Sequence, residues 1–270
     1  MGRQLLSCVR TNLLFYRRNR LLWLIAVVLA ISFLMTMVPA LFFQSSSQRF
    51  EIAKTIFEYL NQFYFLFAAA LGLLSVSSHL RDRSIKMVAT KPLRPEIWLG
   101  SHYIAAVIVF TALAVANLVL TYCLFVVWSI PLQGGLPLLS AMTVCRCLVL
   151  FSFLTFLSMK MHPALAGVLA LVLQDGTFYQ LSLLTASAER LATSGLHTAF
   201  LGGVKYGLLI VYKVLPVYSP YQDAFAAVAS SLRADGSHFA ALAWTLLYTI
   251  VFSALLYLLA AMALRKRRLI

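Results

Sequence analysis

Apolar residues fall in long runs, separated by short clusters of basic residues. Leu21–Phe43 is 23 residues without a charge. Tyr59–Val76 and Tyr103–Trp128 are equally free of charge. Leu138–Met159 is broken only by Arg146, and Ala164–Ala186 only by Asp175. Phe239–Leu264 is uncharged throughout. A hydrocarbon core about 30 Å thick is crossed by about 20 helical residues. Each run is therefore read as a transmembrane helix, and the expected fold is an all-α membrane protein with six spans.

Two further stretches have their own patterns. In the first twenty residues Arg3, Arg10 and Arg17 recur every seven positions, while Leu5, Leu6, Val9 and Leu13 gather on another face. That spacing predicts an amphipathic helix over 1–20, lying on the cytoplasmic leaflet and running into the first span. The transmembrane domain then occupies 21–270. Within it, Leu196–Val217 is moderately apolar but interrupted by Lys205 and Lys213. We read it as helical pieces at the outer surface, anchored by Tyr206, Tyr212 and Tyr218, within an outer segment spanning 187–238. The alternative of equal parity is that the fifth run dips into the membrane and this stretch crosses it.

Composition sharpens the class. The chain is 62% apolar and 11% charged, against about 45–50% and 25% in a soluble domain. This excludes a soluble globular enzyme and a disordered basic tail. The net charge of +14 does not signal nucleic-acid binding, because the charges stand at the ends of apolar runs. They set topology instead. On one side lie 15 basic residues, in the N-terminal tail, the loop after the second span, the turn at Lys160 and the C-terminal tail. On the other lie 6, spread over far more chain. Both termini are expected to be cytoplasmic. The first run is long enough to span, and no small-residue cleavage site follows it, which argues against a cleaved signal peptide.

Candidate chemistry is sparse. Cys8, Cys123, Cys145 and Cys147 lie in or beside apolar runs with no metal-binding spacing. The nucleotide-binding G-x-x-x-x-G-K-[ST] and zinc-binding H-E-x-x-H patterns are missing. G-x-S-x-G, which would hold a nucleophilic serine, is missing too. The chain itself is therefore not expected to be an enzyme or to bind a cofactor. Arg146 and Asp175 fall at mid-membrane depth, where a charge is costly and faces a partner or a cavity. Three readings stay open: a structural pair across neighbouring helices, a role in a substrate path, or a break at Asp175-Gly176 that carries the carboxylate outward.

The most informative cytoplasmic element is the loop over 77–98. Arg83-Ser84-Ile85-Lys86-Met87-Val88-Ala89 forms a short predicted helix, with Ile85, Val88 and Ala89 on one face. Pro92 ends it, and Pro95 opens the next helix at its first turn. Such an element suits docking to a cytoplasmic partner; a basic loop that only sets topology reads equally well.

From Arg83 to Gly100 this loop resembles the one between spans two and three of ABC-2 type permeases, the transmembrane subunits of ABC exporters. Pro92, Arg94, Leu99 and Gly100 fall at the family's places. Its acidic opening is replaced by Arg81-Asp82-Arg83, and the Lys after the Gly is Ser101. The layout is similar too: an amphipathic N-terminal helix, six spans, inward termini, and an outer segment before span six containing Leu215-Pro216-Val217-Tyr218-Ser219-Pro220. The resemblance implies a bacterial inner-membrane exporter subunit. It would work with two separate ATPase subunits, which hold the ATP-Mg, and with a second copy or a homologous permease. Arg83, Ser84, Ile85, Lys86, Val88, Ala89, Pro92 and Arg94 would form the ATPase-coupling loop. The pathway would run along spans two and five, where Asn61, Phe63, Tyr64 and Phe67 suit an amphipathic, lipid-like substrate. A lipid-facing aromatic stripe reads the same. Membrane lipids are the remaining expected partner. The competing classes are an ATP-independent transporter and a membrane scaffold.

Overall fold

A computed structural model of the chain describes residues 2–18, 27, 31, 34, 46–81, 95–131, 133–172, 184–185, 200–207, 210 and 236–268. We name six helices: α1 (Gly2–Arg18), α2 (Ser46–Arg81), α3 (Pro95–Val127), α4 (Gly135–Lys160), α5 (Pro163–Val172) and α6 (Gly236–Arg268). No strand occurs among the described residues. Among the described residues, four helices, α2, α3, α4 and α6, are long and apolar enough to cross a membrane. The chain is thus an all-helical integral membrane protein. The expected first span is described only at 27, 31 and 34, and the fifth is described as far as Val172 and again at 184–185. Most of the outer segment over 187–238 and the coupling residues 83–94 lie outside the described residues.

The helices overrun the uncharged runs. α2 starts at Ser46 rather than Tyr59 and takes in Arg49, Glu51, Lys54 and Glu58. A run without charge marks the depth of hydrocarbon, whereas helix hydrogen bonds continue into the wet interface. α3 begins at Pro95, as the proline spacing predicts. Its ring fixes φ where no intrahelical N–H is needed.

α4 is the central helix. Its span is 72% buried inside the bundle, against 22% for that of α6. It packs against α2, α6, α3 and α5. Its polar residues are compatible with this position because they bond locally: Thr143 Oγ1 donates to the Leu139 carbonyl and Ser152 Oγ to that of Leu148. Such back-bonding satisfies a hydroxyl where no water reaches. α2 approaches α4 closely at Gly72, where a Cβ would lie 2.9 Å from Leu154 Cβ and 3.1 Å from the Phe151 carbonyl oxygen. Backbones come this close in membranes through small residues.

Three apolar clusters run down the bundle. One end joins Ala53 and Phe57 of α2 to Phe125 of α3 and Leu139 and Met142 of α4. The middle joins Leu60–Leu71 of α2 to Ala105–Phe110 of α3 and Cys145–Leu154 of α4. The other end joins Trp98 and Leu99 of α3 to Met159 of α4 and Ala260, Ala261 and Leu264 of α6. α3 therefore runs antiparallel to its three long neighbours.

The turn from α3 to α4 holds a non-glycine residue at positive φ, Ser129 at 55°. Ile130 N–H donates to the Phe125 carbonyl (2.8 Å) and Ser129 N–H to that of Val126 (3.2 Å). This is a Schellman cap, in which glycine is the usual residue at the left-handed position. Phe125 and Ile130, the two apolar partners of that motif, are both buried in the cluster at this end. Packing thus holds a backbone state that a serine Cβ disfavours.

Two stability predictions follow from these contacts. Ser129→Gly relieves the left-handed strain, and thermal unfolding in detergent should show a gain of about 1 kcal/mol. Gly72→Ala overpacks the α2–α4 crossing and should cost about 1–3 kcal/mol in the same assay.

Candidate functional site

From two helices, α1 and α6, polar contacts converge on the start of α3. Within its first turn, Tyr257 of α6 donates its hydroxyl to the Glu96 carbonyl at 2.8 Å. Arg265 of α6 donates Nε–H to Glu96 Oε1. Arg265 is 68% exposed, so this ion pair is solvent-screened and adds little stability; its value is in position.

The next turn meets α1. Ser101 Oγ donates to the Trp98 carbonyl at 2.6 Å and accepts from Asn12 Nδ2 at 2.8 Å. Beside them the Tyr16 hydroxyl and His102 Nδ1 share a hydrogen bond of 3.3 Å. The Trp98 ring stands edge-on to His102, with centroids 4.7 Å apart. Asn12, Tyr16, Ser101 and His102 are all buried. Burial raises the Tyr16 hydroxyl above the usual phenol range, and the nearby Ser75 hydroxyl on α2 offsets only part of this. Tyr16 stays neutral.

Why α1 docks this way follows from helical spacing. Val9, Asn12 and Tyr16 recur at i, i+3 and i+7, on one stripe. All three are buried. The sequence reading grouped Leu6 with Val9 on the apolar face. In the structure Leu6 is 71% exposed while Val9 is buried. Hydrogen-bonding polar residues, rather than leucines alone, choose the face that meets α3.

A second polar contact lies deeper. Asn117 Nδ2 of α3 donates to Asn61 Oδ1 of α2 at 3.1 Å. Asn61, Tyr64 and Phe67, expected in a substrate path, are buried inside the bundle, and Phe63 is half-buried. Asn61 thus serves as an interhelical partner within one chain. Arg146 sits in an unbroken stretch of α4, its guanidinium 4.3 Å from the centre of the Phe65 ring. Cation–π contact of this kind lowers the cost of a charge at that depth. Asp175, its expected partner, lies outside the described residues.

Chemically, the site is a mechanical junction. It ties the first two turns of α3, the far end of the loop, to both α1 and the last turns of α6. Among the described residues no group of three or more His, Cys, Asp or Glu comes together. Sequence reading missed Asn12, Tyr16, His102 and Asn117, and met Ser101 only as a departure from the permease pattern. The available signal was the shared stripe of Asn12 and Tyr16, facing away from Arg3, Arg10 and Arg17.

No protein-family model, no curated protein and no solved structure matches this chain.

The Asn61–Asn117 contact is open to a double-mutant cycle. Asn61→Leu and Asn117→Leu should each destabilise the protein, since each strands its partner's amide in hydrocarbon. The double variant should lose less than the sum, with a coupling of about 0.6–2 kcal/mol. Strict additivity in thermal unfolding would remove the contact from this account.

Proposed function

We propose that the chain is the membrane-spanning subunit of an ATP-driven exporter of the ABC-2 type. On this reading two copies, or this chain and a homologous permease, form the path, and two separate ATPase subunits drive it. The chain sits in the inner membrane of a bacterium with both termini in the cytoplasm. The ATPase subunits hold the ATP-Mg and engage the loop over 77–98.

The observation that carries the reading is the junction at the start of α3. A loop that receives movement must be fixed to something that moves with it. Glu96 is bound to α6 through Tyr257 and Arg265, and Ser101 and His102 to α1 through Asn12 and Tyr16. A push on the loop then shifts α1, α3 and α6 together, as a rigid-body step. The resemblance of Arg83–Gly100 to the permease loop supports the same assignment. Because Asn61, Tyr64 and Phe67 are turned inward, a path that uses them opens by parting α2 from α3.

A membrane scaffold is the second reading, favoured by how intramembrane polar groups close on one another or on their own helix, as Asn117 does on Asn61 and Thr143 on the Leu139 carbonyl. The two readings separate in one experiment. The tagged chain is extracted from its native membrane in mild detergent, and co-purifying proteins are identified. The exporter reading expects an ATPase subunit at about equal stoichiometry. Ile85→Asp with Val88→Asp should lower its recovery at least about tenfold, the loss of about 1.4 kcal/mol or more in binding, while the variant still inserts. Wild-type recovery of the ATPase by that variant would show that the loop is not its dock. An intact complex holding no ATPase would favour the scaffold.

A further inference from the structure

A groove lies where α2, α4 and α5 meet. Phe65, Ala69 and Leu73 form its α2 wall, Leu150 and Leu154 its α4 wall, and Gly167 faces them from α5. Its lining offers no polar side chain. Its volume is about 270 Å³. Phe65 to Leu73 spans about 12 Å at 1.5 Å per residue. The space is therefore long and narrow, one chain wide.

We propose that this groove holds one acyl chain of an anionic phospholipid, with the headgroup beside Lys160. Three features argue for it. First, the α2 wall lies within a membrane-spanning helix. In a bilayer the medium that fills an apolar groove is hydrocarbon, since unfilled space forfeits the contacts of its lining.

Second, the charge stands where a phosphate would sit. α4 ends at Lys160, about 9 Å beyond Leu154, and α5 begins at Pro163, about 6 Å before Gly167. The turn between them therefore lies beyond one end of the lining, and it carries exposed Lys160 and His162. Positive residues near a membrane surface attract anionic lipid. By the distribution of basic residues this is the cytoplasmic end.

Third, at the opposite end of the lining the Phe65 ring lies against the Arg146 guanidinium. That cation is covered by a ring inside the bundle, whereas Lys160 is exposed, so the chain enters by its terminal methyl and leaves the headgroup at Lys160. Gly167 keeps the groove open: a Cβ there would already lie 3.3 Å from Leu73 Cδ1, and a larger side chain would enter the space.

The test uses the full-length chain purified in mild detergent. It is titrated with phosphatidylglycerol or phosphatidylcholine of identical chains, and retained lipid is counted by native mass spectrometry. Phosphatidylglycerol should be retained about fivefold better, the ratio expected from one lysine at an anionic surface. Gly167→Leu and Ala170→Phe should lose most retention of both lipids, and Lys160→Gln should lose only the anionic preference. Equal retention of the two lipids would overturn the proposal. So would undiminished retention by a folded Gly167→Leu protein. If both filling variants fail to fold, Lys160→Gln on its exposed turn decides: an unchanged preference overturns the proposal, and a lost preference upholds it.

Discussion

A polar atom placed in hydrocarbon must find its partner within the protein. Backbone groups do so by forming helices, and side chains do so by choosing which helices touch. That constraint accounts for two of the places where the described helices are joined by hydrogen bonds. Asn12 with Ser101 and Tyr16 with His102 decide how α1 meets α3. Asn61 with Asn117 decides the register of α2 on α3. Apolar packing around α4 supplies the cohesion, but leucines tolerate many registers. The amides and hydroxyls do not.

The placement of these pairs gives the bundle a direction. The contacts of α3 with α1 and α6 all gather within two turns of Pro95, those from α6 reaching back from Tyr257 and Arg265 near the opposite end of the chain. Three helices of distant sequence origin thus share one anchor at the end of one loop. On the exporter reading that anchor turns a local push into movement of the whole bundle. The loose side of the design is α6, which presents most of its surface outward and can follow the movement without breaking a core.

Much of the architecture was legible because hydrophobicity is a sum over many residues. Uncharged runs located α2, α3, α4 and α6, and Pro95 marked the start of α3. The ends of α2 were not legible, since charges such as Arg49 and Glu58 are at home in a helix that leaves the membrane. The site was largely hidden. Asn12 and Ser101 are 89 residues apart, and Asn61 and Asn117 are 56 apart; no local pattern links them. Searching the spans for charges found Arg146 and passed over Asn117, because a neutral amide does not interrupt an apolar run. Asn61 was noticed, but as a candidate for contact with substrate. Its amide is instead committed to a neighbouring helix.

The central claim is that the loop before α3 is where an ATPase engages this chain. The most direct measurement places a photo-crosslinking residue at position 85 of the full-length chain in its native membrane and identifies the adduct. The account predicts a crosslink to a nucleotide-binding ATPase subunit, weakened when the same chain carries Val88→Asp. A crosslink formed only with lipid, with another membrane chain or with a protein lacking a nucleotide site would contradict it.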